Sequence, residues 1–385
     1  MKLSFTPMPL VIFALILTVT TGVLAYDKLN LLPTKAIYEL VVIVVSLLSM
    51  LKFRKLTFYF SFVSLVYIIV SYVGTLYSFG QVNNVDFFIA YKSFFYIILL
   101  SPLVGKSYLS YSCFNYFFCF LIFCFLIKYI LSRFVFGNPR PGLLDENNFE
   151  LLFLLMMFLL SYSSEGKVSF WKLFLVGLIV LISGSRSGIL SLLFVVFMMY
   201  DKKLTLKGVL AFLVFVVLAA ISGFVLMQRL GGGLESIDRF LFLQLFINEV
   251  SDWNLMRYLF GNFALTPLSF YTCHNLSFFQ TLFSHQDNGT CYSVILHSYI
   301  LRMIFDHGVL GLVFILTFTY RTLVASGYNL KFCIAVIGLI CINGLSVSAF
   351  NSVFCFLGLL FMLVTSDRFN YERCYDKASN LRHTR

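Results

Sequence analysis

A chain of 385 residues that is 60% hydrophobic and only 12% charged is not a soluble globular domain, because such domains carry about 25% charged residues. Its formal charge of +11 could suggest a nucleic-acid partner, but no basic arm, repeat or low-complexity linker gathers the charge onto one surface, and nucleic acid is set aside. The 47 Phe and 22 Tyr suit wide lipid contact and aromatic belts at a membrane interface.

A membrane span needs about 17 to 20 apolar residues. The first such run, 8–25, follows a lone lysine and ends in VLAY; Ala25 is its one cue for cleavage, so an uncleaved span is expected rather than a signal peptide. Further spans are expected at 36–51, 56–79, 86–105, 109–130, 147–163, 168–184, 187–201, 207–227, 308–324, 331–346 and 349–366, about 12 in all. An even count puts both termini on one side. The positive-inside rule makes that side cytoplasmic, because KFRK (52–55), Lys106, Lys167, Lys172, DKK (201–203), Lys207, Arg321, Lys331 and a basic tail collect there. The expected class is therefore all-α, a polytopic integral membrane protein with N-in, C-in topology. Residues 1–366 form its membrane domain, 228–293 one large outer loop, and 367–385 a cytoplasmic tail. Lys92, inside the fourth span, is expected to snorkel or pair and is given no role.

Within LISGSRSGIL (181–190), Arg186 stands between two uncharged runs. An arginine at the bilayer centre costs roughly 2.5–3.5 kcal/mol on insertion scales. Lys167 and Lys172 on one flank and DKK on the other must share the inner side, so residues 172–200 go out and come back. SGSRSG is the expected hairpin tip, its glycines and serines supplying turn chemistry. Two readings of Arg186 follow: a guanidinium facing an outward-open cavity, or a side chain snorkelling to the outer headgroups.

Two outer segments are long enough to carry chemistry: SRFVFGNPRPGLLDENNFE (132–150) and the loop from Gln228 to about Ser293. In the loop, Cys273 and Cys291 bracket HNLSFFQTLFSHQDNGT, and a disulfide between them is expected to contribute about 3 kcal/mol. The remaining cysteines lie in or beside spans or in the tail and read as small apolar fillers. SIDRFLFLQLFINEV (236–250) places Phe240, Leu243, Phe246, Ile247 and Val250 at helical spacing, which predicts a helix on the membrane surface or over a cavity. Arg239 in its first turn either points at a ligand or is a solvated charge paired with Asp238 or Glu235.

Next, LHSYILRMIFDHGVLGLVF (296–314) brings His297 and Ser298 to where the loop re-enters the bilayer, with a new span expected from Gly308. A lone membrane histidine is more often a packing group, but the depth of His297 matches that of SGSRSG. His274 and His285 lie farther out and His307 deeper. No HxxH, HExxH or CxxC occurs, so neither metal nor cofactor is expected.

The order RPGLLDENNFE, SGSRSG, an arginine opening a large loop, then HSYILRMIFDHGVLGL resembles the O-antigen polymerase and O-antigen ligase superfamily over roughly residues 130–315. The resemblance implies a multi-pass protein of the bacterial inner membrane, its active site facing the periplasm. It also implies a glycosyltransferase whose partners are membrane lipid and undecaprenyl-diphosphate-linked oligosaccharides, with a chain-length regulator as a further candidate. Arg186 and Arg239 match the family's arginines, His297 its histidine, with Gly308 and Gly311 as the glycines that follow. Arg140 and Asn148 match its first outer motif, and Ser185 and Ser298 complete the expected substrate-binding set. One departure is HS at 297–298 where ligases read HN; HN stands at 274–275, which makes His274 a rival.

The implied reaction is metal-free and inverting. A sugar hydroxyl gives its proton to His297 while Arg186 and Arg239 neutralise the leaving diphosphate. A polymerase joining lipid-linked repeat units is the preferred reading. The alternatives are a ligase handing the glycan to a lipid A core, and a transporter or flippase for a lipid-linked sugar. Carriers pair broken helices in both halves, and only 183–188 reads as broken.

Overall fold

In lipid a backbone must satisfy its own polar groups, and within a single segment only a helix does so. The computed structural model describes residues 7–25, 29–50, 54–80, 82–166, 169–199, 238–262, 264–285 and 290–365. The expected span at 207–227, the first part of the large loop and the tail at 367–385 lie outside the described residues. Among the described residues every regular element is helical. In chain order they are α1 (Met8–Leu24), α2 (Thr34–Ser49), α3 (Lys55–Phe79), α4 (Asn84–Leu100), α5 (Tyr111–Ile130), α6 (Asn147–Glu165) and α7 (Phe170–Ile182). There follow α8 (Arg186–Met199), α9 (Asp238–Val250), α10 (Leu255–Phe260), α11 (Phe270–Asn275), α12 (Tyr299–Ala325), α13 (Leu330–Gly344) and α14 (Val353–Thr365). Among the described residues, four segments are long and apolar enough to cross a membrane: Lys55–Phe79, Asn84–Leu103, Tyr111–Val135 and Tyr299–Ala325. Helices α1, α7, α8, α13 and α14 are apolar but shorter.

Burial follows the pattern of each segment. Helix α6 is apolar on every side and buried on every side, with Leu151 to Leu160 no more than 1% exposed. It packs along α14, whose Val353–Val364 stretch is equally enclosed. Helix α3 behaves in the opposite way: Tyr59, Phe62, Val66 and Val73 are exposed, as suits a helix whose apolar side faces lipid. Lys92 proves to be paired, with Glu39 of α2.

Loop contacts gather at two ends. At one, Arg54 donates to the Ala325 carbonyl (2.7 Å), Tyr328 to that of Met362 (2.8 Å), and Lys172 meets Glu165 (2.5 Å). At the other, Asn30 and Thr34 donate to the carbonyls of Leu143 (3.1 Å) and Leu144 (2.7 Å), and Asn147 to that of Ser183 (3.1 Å). The RPGLLDENNFE segment at this end is organised by Glu150. Its buried carboxylate accepts from the amides of Leu143 (2.9 Å), Leu144 (2.7 Å) and Asp145 (3.2 Å) and from the Tyr129 hydroxyl (2.5 Å). Glu150→Ala strands these donors at about 1–3 kcal/mol each. It is expected to lower thermal stability in detergent far more than loss of the Lys35–Asp145 pair, which is half exposed on its lysine side.

The described residues of 238–298 form a layer over the same end, with its own small core. Two expectations are corrected there. The apolar stripe read along 236–250 divides: Phe242, Leu245, Phe246 and Val250 are buried in the layer, while Phe240, Leu243 and Ile247 are exposed. The helix carries apolar residues on two faces, and the layer's own core selects which one is covered. The span expected from 308 begins instead at Tyr299 and is broken at Gly308 (φ 67, ψ −178). Asn262 caps this break, donating its backbone amide (3.0 Å) and Nδ2 (3.1 Å) to the Phe305 carbonyl.

Candidate functional site

His297 lies between the 3-10 turn Ser293–Leu296 and the start of α12. Its backbone has φ 54 and ψ −32, and among the described residues no other non-glycine has positive φ. Such a conformation costs about 1–3 kcal/mol and survives only where neighbouring structure fixes it. The loop after α13 does the fixing. Ser298 Oγ donates to the Gly344 carbonyl (3.1 Å), the Tyr299 amide to that of Val347 (3.3 Å), and Ser348 Oγ to that of His297 itself (3.3 Å).

The bend turns the exposed imidazole into an open pocket. Arg239, at the start of α9, lines this pocket together with His297, Ser298 and Ser346. Phe242, Leu243 and Leu345 give it an apolar wall, and the Phe242 ring lies 5.4 Å from that of His297. The chemistry available is a guanidinium and an imidazole beside an apolar surface. That combination suits an anionic headgroup continuing into a hydrocarbon chain.

Of the other expected residues, only Ser298 lines this pocket. Its hydroxyl is already committed as the α12 cap and to Gly344. The hairpin turn is shorter than SGSRSG: it is Ser183–Ser185, and Arg186 is the half-buried first residue of α8. Ser185 caps that helix by accepting from the Gly188 amide (3.0 Å). Ser185 and Ser187, which flank Arg186 in the chain, both donate to Asn148 Oδ1 (2.6 and 3.2 Å). This group is not part of the pocket lining. Farther along α8, Ser191 accepts from Asn343 of α13 (2.7 Å). Arg140 is exposed on the 132–150 segment, away from the pocket lining.

The remaining histidines separate clearly. His274 is exposed beside Phe270, and neither it nor His285 lines the pocket. His307 is buried, with Nδ1 on the Tyr67 hydroxyl (2.8 Å) and Nε2 on the Ala90 carbonyl (3.2 Å), and it fills a packing role. Among the described residues no cluster of three His, Cys, Asp or Glu could hold a metal ion. Sequence reading passed over Arg302 and Asp306 of α12, both buried next to the bend. Their only signal was two opposite charges four residues apart in an apolar helix.

The disulfide Cys273–Cys291 is formed, with Cα atoms 5.9 Å apart. Cys291 sits in the layer's core, and its carbonyl accepts from the Leu268 amide (2.9 Å). Closing a loop of this length is worth about 3 kcal/mol. Cys273→Ser is therefore expected to loosen the layer, seen as faster amide exchange at 268–296 without change in α6. Compared with known proteins, the chain matches no family model, no curated protein and no solved structure.

Proposed function

We propose that this chain is an O-antigen polymerase of the bacterial inner membrane, with about 12 spans, both termini in the cytoplasm and its pocket facing the periplasm. The reaction joins oligosaccharide repeat units carried on undecaprenyl diphosphate. The observation that supports it is the meeting of Arg239 and His297 at one pocket with an apolar wall. An acceptor hydroxyl attacks the anomeric carbon of the donor glycan. The new C–O bond forms as the bond to the diphosphate oxygen breaks, and the electron pair leaves with the lipid diphosphate. His297 takes the hydroxyl proton, and Arg239 neutralises the leaving group.

Arg186, with Asn148 and Ser185, forms a second cationic station rather than part of the first. Two stations at one end suit a reaction whose donor and acceptor both carry a lipid diphosphate, which favours a polymerase over a ligase. In a membrane polymerisation assay, R186A, R239A and H297A are each expected to lose most chain extension. Wild-type activity in all three removes the mechanism. Genetically, loss of the protein is expected to leave a single repeat on the core; a bare core means a ligase.

One observation favours a carrier. The break at Gly308 supplies the second interrupted helix that the sequence lacks. Movement of a lipid-linked sugar across reconstituted vesicles without glycan extension decides for that reading.

A further inference from the structure

Two charged side chains in the first half of α12 take no part in the chemistry described so far. Arg302 and Asp306 lie one helical turn apart, each 3% exposed. Burying such groups is costly unless polar partners hold them, and apolar residues of similar volume would often serve packing as well. Their partners converge on one short stretch of chain.

Arg302 donates from Nη1 to Ser348 Oγ (2.7 Å), and Ser348 Oγ in turn donates to the His297 carbonyl (3.3 Å). Asp306 Oδ2 accepts from Ser293 Oγ (2.5 Å), at the start of the 3-10 turn that ends at His297. One side chain thus grips the chain before the bend, and the other grips it at the bend. A further bond from Arg302 Nη2 to the Ile89 carbonyl (3.4 Å) ties the guanidinium to α4.

We propose that Arg302, acting through Ser348, and Asp306, acting through Ser293, are positioning residues that hold His297 in its positive-φ conformation and so aim its imidazole at the pocket shared with Arg239. The inference rests on His297 acting in the reaction proposed above. A histidine left to itself does not favour φ 54. Without the bond to its carbonyl, the peptide after His297 relaxes and the Cα–Cβ direction turns. A misplacement of about 1 Å can cost about 100-fold in rate. The plainer role, an anchor between α12 and α4, needs only the bond to Ile89. Ser348→Ala separates the two, because it leaves that bond and every charge in place.

The test uses the full chain in lipid nanodiscs with an undecaprenyl-diphosphate-linked repeat unit as the probe, measuring kcat and KM. S348A and R302M are expected to lower kcat by about 10- to 100-fold with KM little changed. R302K is expected to recover part of the loss, since an ammonium also donates to Ser348. D306N is expected to stay near wild type, because its amide oxygen still accepts from Ser293, whereas D306A falls. In an H297A background none of these changes lowers residual activity further, because all act through the same imidazole.

If H297A is inactive while S348A keeps wild-type kcat, the clamp is overturned and the proposed reaction stands. If S348A and H297A effects multiply, the clamp is likewise overturned in favour of the anchor. S348A decides the matter should R302M fail to fold. A wild-type chain that does not extend the probe overturns the proposed function, and the clamp with it, a result that none of the variants can mimic.

Discussion

Replacing His297 by alanine is expected to lower glycan extension by about 100- to 10,000-fold, the range usual for a lost general base. Replacing it by glycine is expected to be as damaging to activity while raising stability. The reason lies in the backbone: His297 holds φ 54, which glycine adopts freely and histidine does not. Relief of that strain is worth about 1–3 kcal/mol. The greater freedom of glycine in the unfolded chain gives back about 0.5–1 kcal/mol. Thermal unfolding in detergent, run beside the extension assay, reads both effects at once. A glycine variant clearly less stable than wild type shows that the bend carries no strain. An alanine variant that still extends glycans removes His297 as the base.

The second large effect is expected at Gly308. Its φ of 67 with ψ −178 lies in a region open almost only to glycine. A Cβ there would lie 2.2 Å from the Leu259 carbonyl oxygen and 2.5 Å from the Gly261 nitrogen, both of them backbone atoms that cannot swing aside. Gly308→Ala is therefore expected to cost about 3 kcal/mol or more and to push the 255–262 segment off α12. The outer layer shares Phe305 and Leu296 with the bend, so activity should fall with it. Amide exchange across 255–262 measures the displacement. Gly80 gives the control, since its φ is 70 but nothing lies within 4 Å of its Cβ position; Gly80→Ala should show strain alone, about 1–2 kcal/mol. Equal losses at the two positions would mean that close packing at Gly308 matters little.

How far these features are legible in the sequence depends on the range of the interactions behind them. The runs 56–79 and 147–163 correspond to helices Lys55–Phe79 and Asn147–Glu165, because hydropathy over a score of residues acts locally. The return of 172–200 was readable because basic residues flank it. Its tip was legible only to within a few residues, since Ser185 acts as a helix cap and moves Arg186 into α8. The pairing of Cys273 with Cys291, expected from their bracketing of one loop segment, is formed. The helical turns from Tyr299 to His307, before Gly308, were hidden by their charges. The part played by Arg302 and Asp306 emerges only with their partners on Ser348 and Ser293.

By itself the sequence determined that this chain is helical and apolar, with Arg186, Arg239 and His297 as its unusual polar positions, since each depends on composition within a short window. The tertiary structure alone decided that Arg239 and His297 share a pocket and that Arg186 stands apart. It also decided that a serine 51 residues downstream donates to the His297 carbonyl. Those facts arise from packing between segments far apart in the chain, where the outcome rests on shape and on hydrogen bonds that no local pattern encodes.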